Sequence, residues 1–350
     1  MTLLRVEALV MKLSDFTLGP LTFEVEDNDY IVLFGPNGSG KTTLLKTILG
    51  FYRPILGRIL FNGIDITGLP IEKRNIGYVP QNIVLFENMT IRQNIEFGLK
   101  FKKLGKEERK NRVKRISEIL SIESLLDKKP RELSYGQKQL VSIARAIAPE
   151  PSLLLLDEPL SNLDPNTRLS IMKALRALKK FNTSIIHVTH IIENVLYPDS
   201  KLLFMYKGKI LERGKTSEVF SNPTTLELAS YLSNWNIYRV YKKKGSLICL
   251  NDRICFAVDG ERIKVDDKAT YIAFKPVDVI LDRKIDGWSC YEGFIEGIQV
   301  TSYGYLYSIR FSDILITAFS SKRNELKERV RFCIDPSKVV FLRKGLSVER

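Results

Sequence analysis

The chain has 350 residues, 44% hydrophobic and 27% charged, enough for two or three folded units with their own cores and unlike a disordered chain. No run approaches the roughly 18 consecutive apolar residues of a membrane-spanning helix, and "MTLLRVEALVMKLSD" interleaves charges where a signal peptide would be continuously apolar, so a cytosolic protein is expected unless a partner holds it elsewhere. A net charge of +14 admits nucleic acid or an anionic membrane face as a partner.

In chain order, strand-like patterns at 3–10 and 17–25 precede "YIVLF", an apolar run of buried-strand length. It enters "GPNGSGKTT" (Gly35, Pro36, Asn37, Gly38, Ser39, Gly40, Lys41, Thr42, Thr43), and then a helix closing on Gly50. Strand, glycine loop, helix is the order a phosphate-binding unit requires. In this pattern backbone N–H groups approach the phosphates, Lys41 bridges the β- and γ-phosphates, and the Thr42 hydroxyl ligands Mg²⁺. "RILFNGIDIT" predicts a hairpin turning on Asn62-Gly63.

Residues from about 88 to 148 are mostly helical by period. Within them, "KFKKLGKEERKNRVKR" is dense in positive charge; it reads either as a solvated helix surface or as a docking face for a membrane complex. Ser134 and Gly136 stand just before an apolar-periodic helix, where free backbone N–H groups make an anion seat without a phosphate cradle of its own. Then "SLLLLD" predicts a strand ending in Asp157, suited to a magnesium shell, with Glu158 next to it to polarise an attacking water. A helix, the strand "TSIIHVTH", a hairpin at "KLLFMYKGKILERG" and the helix "TTLELASYLS" follow, predicting a largely parallel sheet. From about Asn236 the texture changes to many short strands, including "RICFAV" and "ERIKV", which imply a small all-β barrel or sandwich. The four cysteines, Cys249, Cys255, Cys290 and Cys333, form no C-x-x-C pair and read as small buried hydrophobes in a reducing compartment.

"LSYGQKQ", Gln81 in "YVPQN", "SNLD" at 161–164 and His190 in "HVTH" stand around the phosphate loop in an order that resembles the ATP-binding cassette (ABC) ATPases, across roughly the first 235 residues. The resemblance implies an α/β P-loop (RecA-like) domain with a helical subdomain, residues 1–235, binding ATP and Mg²⁺. It implies that Gln81 senses magnesium and water near the permease-facing surface, that His190 contacts the γ-phosphate, and that Asp157 and Thr42 hold the metal. It further implies a head-to-tail homodimer in which Ser134, Gly136, Gln137 and Asp164 serve the partner's nucleotide. Tyr135, Leu140 and Ile191 depart from the usual glycine, arginine and aspartate, and none removes a catalytic group. Phe16 has two readings, an adenine-stacking aromatic or a core strand residue.

"LFENMTIRQNIEFGLKFK" resembles importer cassettes, and residues 236–350, with "AFKPVDVIL" and "VVFLR", resemble the all-β regulatory domain (OB/TOBE-like, or MOP-like) attached to them. "NGIDITGLPIEKRNIGYVPQNIVLF", "ILSIESLLDKKPRELS" and "GFIEGIQV" are most similar to the molybdate/tungstate importers. This implies an energy-coupling ATPase at the cytoplasmic face of the membrane, with separate permease subunits and an extracytoplasmic binding protein. Sulfate, iron, sugar or polyamine cargo is the alternative, and a soluble ATPase acting on nucleic acid or ribosomes, supported only by basic charge, is a reading of another class; no nucleic-acid partner is expected. "ITAFSSKRNEL" offers Ser320, Ser321, Lys322 and Arg323 either as an oxyanion pocket or as a polar loop between strands.

Overall fold

The computed structural model describes residues 1–192, 200–233, 235–244, 247–250, 254–257, 271–285, 288–323 and 328–345. β1 (Thr2–Leu13) and β2 (Phe16–Glu26) bury alternate residues, as strands do when one face meets a core, and pair antiparallel. β3 (Tyr30–Phe34) is buried throughout, the pattern of a strand covered on both faces. It runs through the glycine loop into α1 (Lys41–Leu49), which ends at Gly50 in the left-handed region, φ 94°. β4 (Leu56–Phe61) and β5 (Ile64–Asp65) form the expected hairpin on Asn62 and Gly63, both at positive φ, and complete the sheet β2-β1-β4-β5.

Between these strands and β6 (Gly77–Val79) lies Arg74, only 3% exposed. Its guanidinium donates to the carbonyls of Thr47 and Ile48 in the last turn of α1 and to those of Thr67 and Leu69. The helical region contains α2 (Ile91–Phe97), α3 (Lys106–Leu120) and α4 (Tyr135–Ile147). α3 buries Val113, Ile116 and Leu120 and turns its basic side outward, where Arg112 meets Glu108 and Glu150, and Lys114 meets Glu118. That favours the solvated-surface reading of the charge run.

β7 (Leu153–Asp157), α5 (Pro165–Ala177), β8 (Ser184–Thr189) and the hairpin of β9 (Lys201–Tyr206) and β10 (Lys209–Lys215) finish a six-stranded sheet, order β10-β9-β3-β8-β7-β6, parallel except at β10. Leu153 to Leu156 are fully buried, so truncating any one to alanine is expected to cost about 2–5 kcal/mol. The register aligns the strand ends: Phe34 opposite Thr189, Asp157 opposite Val188, Val79 opposite Leu156. The segments carrying Lys41, Gln81, Asp157, Glu158 and His190 therefore all leave one edge of the sheet, its carboxyl edge.

Two compact units result, Met1–Ser217 and Glu218–Arg350, dividing within α6 (Thr216–Ser221). The change of sequence texture at 235/236 lies further along, because α7 (Leu226–Tyr231) belongs by packing to the second unit. Its Ala229 is buried with Ala273 and Leu342, and Thr225 bridges Arg343. The second unit is all-β beyond that helix: β11 (Asn236–Arg239), β12 (Lys242–Lys244), β13 (Leu247–Cys249), β14 (Cys255–Ala257), β15 (Tyr271–Phe274), β16 (Val279–Leu281), β17 (Ser289–Thr301), β18 (Gly304–Phe311), β19 (Ile314–Ser320), β20 (Arg329–Ile334) and β21 (Val340–Leu342). Its largest sheet runs β16-β20-β17-β18-β19 over a core that includes Phe274, Tyr307, Ile316 and Phe332. The strand expected at "ERIKV", 261–265, lies outside the described residues, as do 324–326 of the loop segment and parts of "RICFAV".

The cysteines correct the sequence reading. Cys249 bonds Cys255 and Cys290 bonds Cys333, and no described cysteine is free. Each pair is also a register pair, across β13 and β14 and across β17 and β20, with Cα atoms 4.0 and 4.1 Å apart. Strand pairing brings the thiols together, which residue spacing alone does not reveal.

Candidate active site

The glycine loop has backbone demands that only its residue types meet. Gly35 has φ 154°, and a Cβ there would lie 2.0 Å from the Met205 carbonyl oxygen. Gly40, at φ 99°, begins α1, and a Cβ there would strike the Phe16 ring at 2.7 Å. No side chain caps this helix start. Lys41 is 5% exposed, and its Nζ donates to the Gly35 and Pro36 carbonyls, 2.8 Å each. Burial lowers its pKa, while Glu158 and Asp157 act to keep it charged. Ser39 Oγ, also buried, has no hydrogen-bond partner among the described residues, the condition of a polar loop built for a ligand.

Asp157 ends β7, 2% exposed. Thr42 Oγ1 donates to its Oδ1 at 2.9 Å and the Tyr78 hydroxyl to its Oδ2 at 3.4 Å. Burial raises the carboxyl pKa, opposed by these two hydrogen bonds. Desolvation and the same carboxylate raise that of the Tyr78 phenol. Glu158 adopts φ 52°, a left-handed conformation uncommon for such a residue, held by its N–H to the Val188 carbonyl and by Ser161 on its own carbonyl. His190 Nδ1 lies 2.7 Å from Glu158 Oε1; against an ionised carboxylate this nitrogen is the donor.

Of these groups Gly40, Lys41, Thr42, Glu158 and His190 border one cavity of ≈ 630 Å³, lined also by Asn37, Gly38, Thr43 and Gln81, with Leu13 and Phe16 as an apolar wall. Gly35, Pro36, Ser39 and Asp157 do not line it, Asp157 reaching it only through its hydrogen bond from Thr42. Phe16 packs against the core and also lines this cavity. The Thr42 hydroxyl, the Asp157 carboxylate and the Gln81 amide are hard oxygen donors of the kind Mg²⁺ takes.

Ser134, Gly136, Gln137 and Asp164 do not line that cavity. Ser134 caps α4: its Oγ accepts from Gln137 N–H at 3.3 Å, and Gln137 Oε1 accepts from Ser134 N–H at 3.0 Å. A Cβ at Gly136 would lie 2.2 Å from Thr167 Cγ2, so close packing on α5 is a demand for glycine there that spacing did not disclose. Asp164 caps α5 through the N–H groups of Asn166 and Thr167, and hydrogen bonding, foremost from Thr167, holds its carboxyl below the usual range. In the second unit Ser320, Ser321, Lys322 and Arg323 border a cavity of ≈ 880 Å³ together with Asp282 and Arg283, a cation that motif reading missed. Ser320 Oγ is engaged in its own turn, donating to the Lys322 carbonyl at 2.9 Å.

Residues 18–161 match the family model described as ABC transporter. A molybdate/tungstate import ATP-binding protein of Pyrococcus abyssi is 40% identical over 283 residues, covering 81% of this chain and 80% of that protein. The chain belongs to the ABC transporter family. Its counterpart in Pyrococcus horikoshii, of the same description, is 34% identical over 336 residues, 94% of this chain and 95% of that one, so the similarity extends through the β unit. Among solved structures, cbiO1 of Clostridium perfringens, part of an ABC transporter complex, superposes with a TM-score of 0.58 at 36% identity over 63% of this chain and 90% of its own. This ABC protein is thus an ATPase whose hydrolysis is coupled to transport, and ATPases of its kind work with transmembrane permease subunits. Among the described residues no helix is long and apolar enough to cross a membrane.

Proposed function

We propose that the chain is the ATP-hydrolysing subunit of an importer for molybdate or tungstate, acting at the cytoplasmic face as a head-to-tail homodimer beneath permease subunits fed by an extracytoplasmic binding protein. The carrying observation is one cavity that gathers Lys41, Thr42, Gln81, Glu158 and His190 but lacks the Ser134 segment, in a chain similar over most of its length to molybdate/tungstate import proteins.

ATP lies with its phosphates over the open start of α1 and its adenine toward Leu13 and Phe16. Lys41 exchanges the Gly35 and Pro36 carbonyls for the β- and γ-phosphate oxygens. Thr42, Asp157 and Gln81 hold Mg²⁺, which when bound neutralises phosphate charge and orients the terminal phosphoryl group. Glu158 accepts the proton of a water as its oxygen bonds to the γ-phosphorus. The bond to the bridging oxygen breaks and ADP leaves with the electron pair. His190 fixes Glu158 through Nδ1–H and stands on the cavity lining, where its ring would contact the γ-phosphate. The partner's Ser134, Gly136 and Gln137 complete the site, with Asp164 in the loop linking the two centres.

Glu158→Gln is expected to keep ATP binding and lower kcat about 10²–10⁴-fold; unchanged turnover would remove Glu158 as the base. Cargo is tested by ATP-driven tungstate uptake in proteoliposomes with the cognate permease, where equal failure for tungstate and molybdate defeats the assignment. A regulatory oxyanion role for the ≈ 880 Å³ cavity is supported by Arg283, Lys322 and Arg323 on its wall. Calorimetric titration of the whole chain should register tungstate or molybdate and lose that heat in Arg283→Ala; no heat from either anion rejects the role.

A further inference from the structure

β6 is short and lies at the edge of the parallel sheet, yet three parts of the machinery meet on it. Gly77 lets it approach α4: a Cβ there would lie 3.0 Å from the Ala146 carbonyl oxygen and 2.8 Å from Pro151 Cγ. Tyr78 packs against the core cluster that includes Leu44, Leu45 and Ile48 of α1, and carries its hydroxyl to Asp157 Oδ2 at 3.4 Å. Gln81, just beyond the strand end, lines the nucleotide cavity.

Asp157 is a buried carboxylate with one side-chain donor on each oxygen, Thr42 on Oδ1 and Tyr78 on Oδ2. Thr42 belongs to the phosphate loop and is itself a metal-site hydroxyl, so its bond to Oδ1 must adjust when the site fills. Tyr78 is outside the cavity lining, and its bond can persist. A donor behind a metal-binding carboxylate fixes its rotation and orients the oxygen that faces the metal. We propose that Tyr78 is a positioning residue whose hydroxyl orients Asp157 for the metal of the nucleotide complex, so that one strand sets both Asp157 and Gln81.

The proposal rests on Asp157 serving the metal, and the test separates the two ideas. In full-length protein carrying Glu158→Gln, expected to hold ATP while hydrolysing it far more slowly, Mn²⁺ binding is followed by electron paramagnetic resonance. Binding of a fluorescent ATP analogue is measured in parallel in EDTA. Tyr78→Phe keeps the ring and deletes the hydroxyl; it should raise the half-saturating Mn²⁺ concentration about tenfold, the lower end for an outer-shell group. Metal-free nucleotide binding should stay within about twofold, as expected when the ring packing is intact. Asp157→Asn should raise the Mn²⁺ requirement further. If Asp157→Asn moves it and Tyr78→Phe does not, the Tyr78 assignment falls alone. If neither moves it, the metal reading of Asp157 falls and takes Tyr78 with it. A loss in Tyr78→Phe of equal size in EDTA marks a general structural effect and likewise overturns the proposal.

Discussion

Two helices of this ATPase begin at segments the sequence marks as anion seats, and they begin differently. α1 starts at Gly40, uncapped by any side chain, with Lys41 buried on loop carbonyls and Ser39 Oγ unpartnered. α4 starts at Ser134, where a reciprocal box already occupies the N–H groups of Ser134 and Gln137. The first seat is left polar and unsatisfied within its own fold. The second is self-satisfied, which keeps an exposed helix end stable until something replaces its internal partners. Under the proposed function, this is how a site built for its own nucleotide would differ from one that engages only on assembly.

Three substitutions break or sharpen that contrast. Lys41→Ala removes the cation of the first seat, and ATP affinity should fall by about 2–5 kcal/mol, roughly thirtyfold or more, in a fluorescent-nucleotide titration; a loss under threefold would mean that the seat does not depend on its lysine. Ser134→Arg should leave single-chain ATP binding within about threefold, since Ser134 lies outside the cavity, yet reduce hydrolysis about 100-fold, as removing a group that stabilises the transition state does. ATP-driven dimerisation, read by light scattering, should vanish with it, and persistence of both would return Ser134 to a plain cap. The smallest effect is expected of Gly136→Ala, whose methyl meets Thr167: destabilisation of about 1–3 kcal/mol by urea titration. Adding Thr167→Ser should recover most of it. No recovery would place the demand for glycine elsewhere.

The strings that act within a few residues were legible in the sequence. The phosphate loop is contiguous, and the Asn62-Gly63 turn needs only its own two positive φ values. Asp157 and Glu158 follow their buried strand directly. What stayed hidden depends on distant strands becoming neighbours. Tyr78 reaches a carboxylate 79 positions away, and the Cys290–Cys333 pair spans 43. No local period encodes such contacts; they follow from sheet order and register. The reach of the second unit back to α7 was missed for the same reason, since Ala229 meets Ala273 and Leu342 only after those strands pair.

Arg74 carries a consequence for the electrical balance of α1. The aligned peptide dipoles of a helix leave partial negative charge on its last carbonyls and partial positive charge on its first N–H groups. Arg74 sets a full positive charge on the Thr47 and Ile48 carbonyls and, by its bonds to Thr67 and Leu69, cannot swing away without abandoning a second strand of chain. The negative pole is thereby met from within the protein. At the opposite pole Lys41 adds to the positive charge. There the Asp157 and Glu158 carboxylates oppose Lys41, and the first-turn N–H groups that no side chain caps are what a polyphosphate chain is suited to meet.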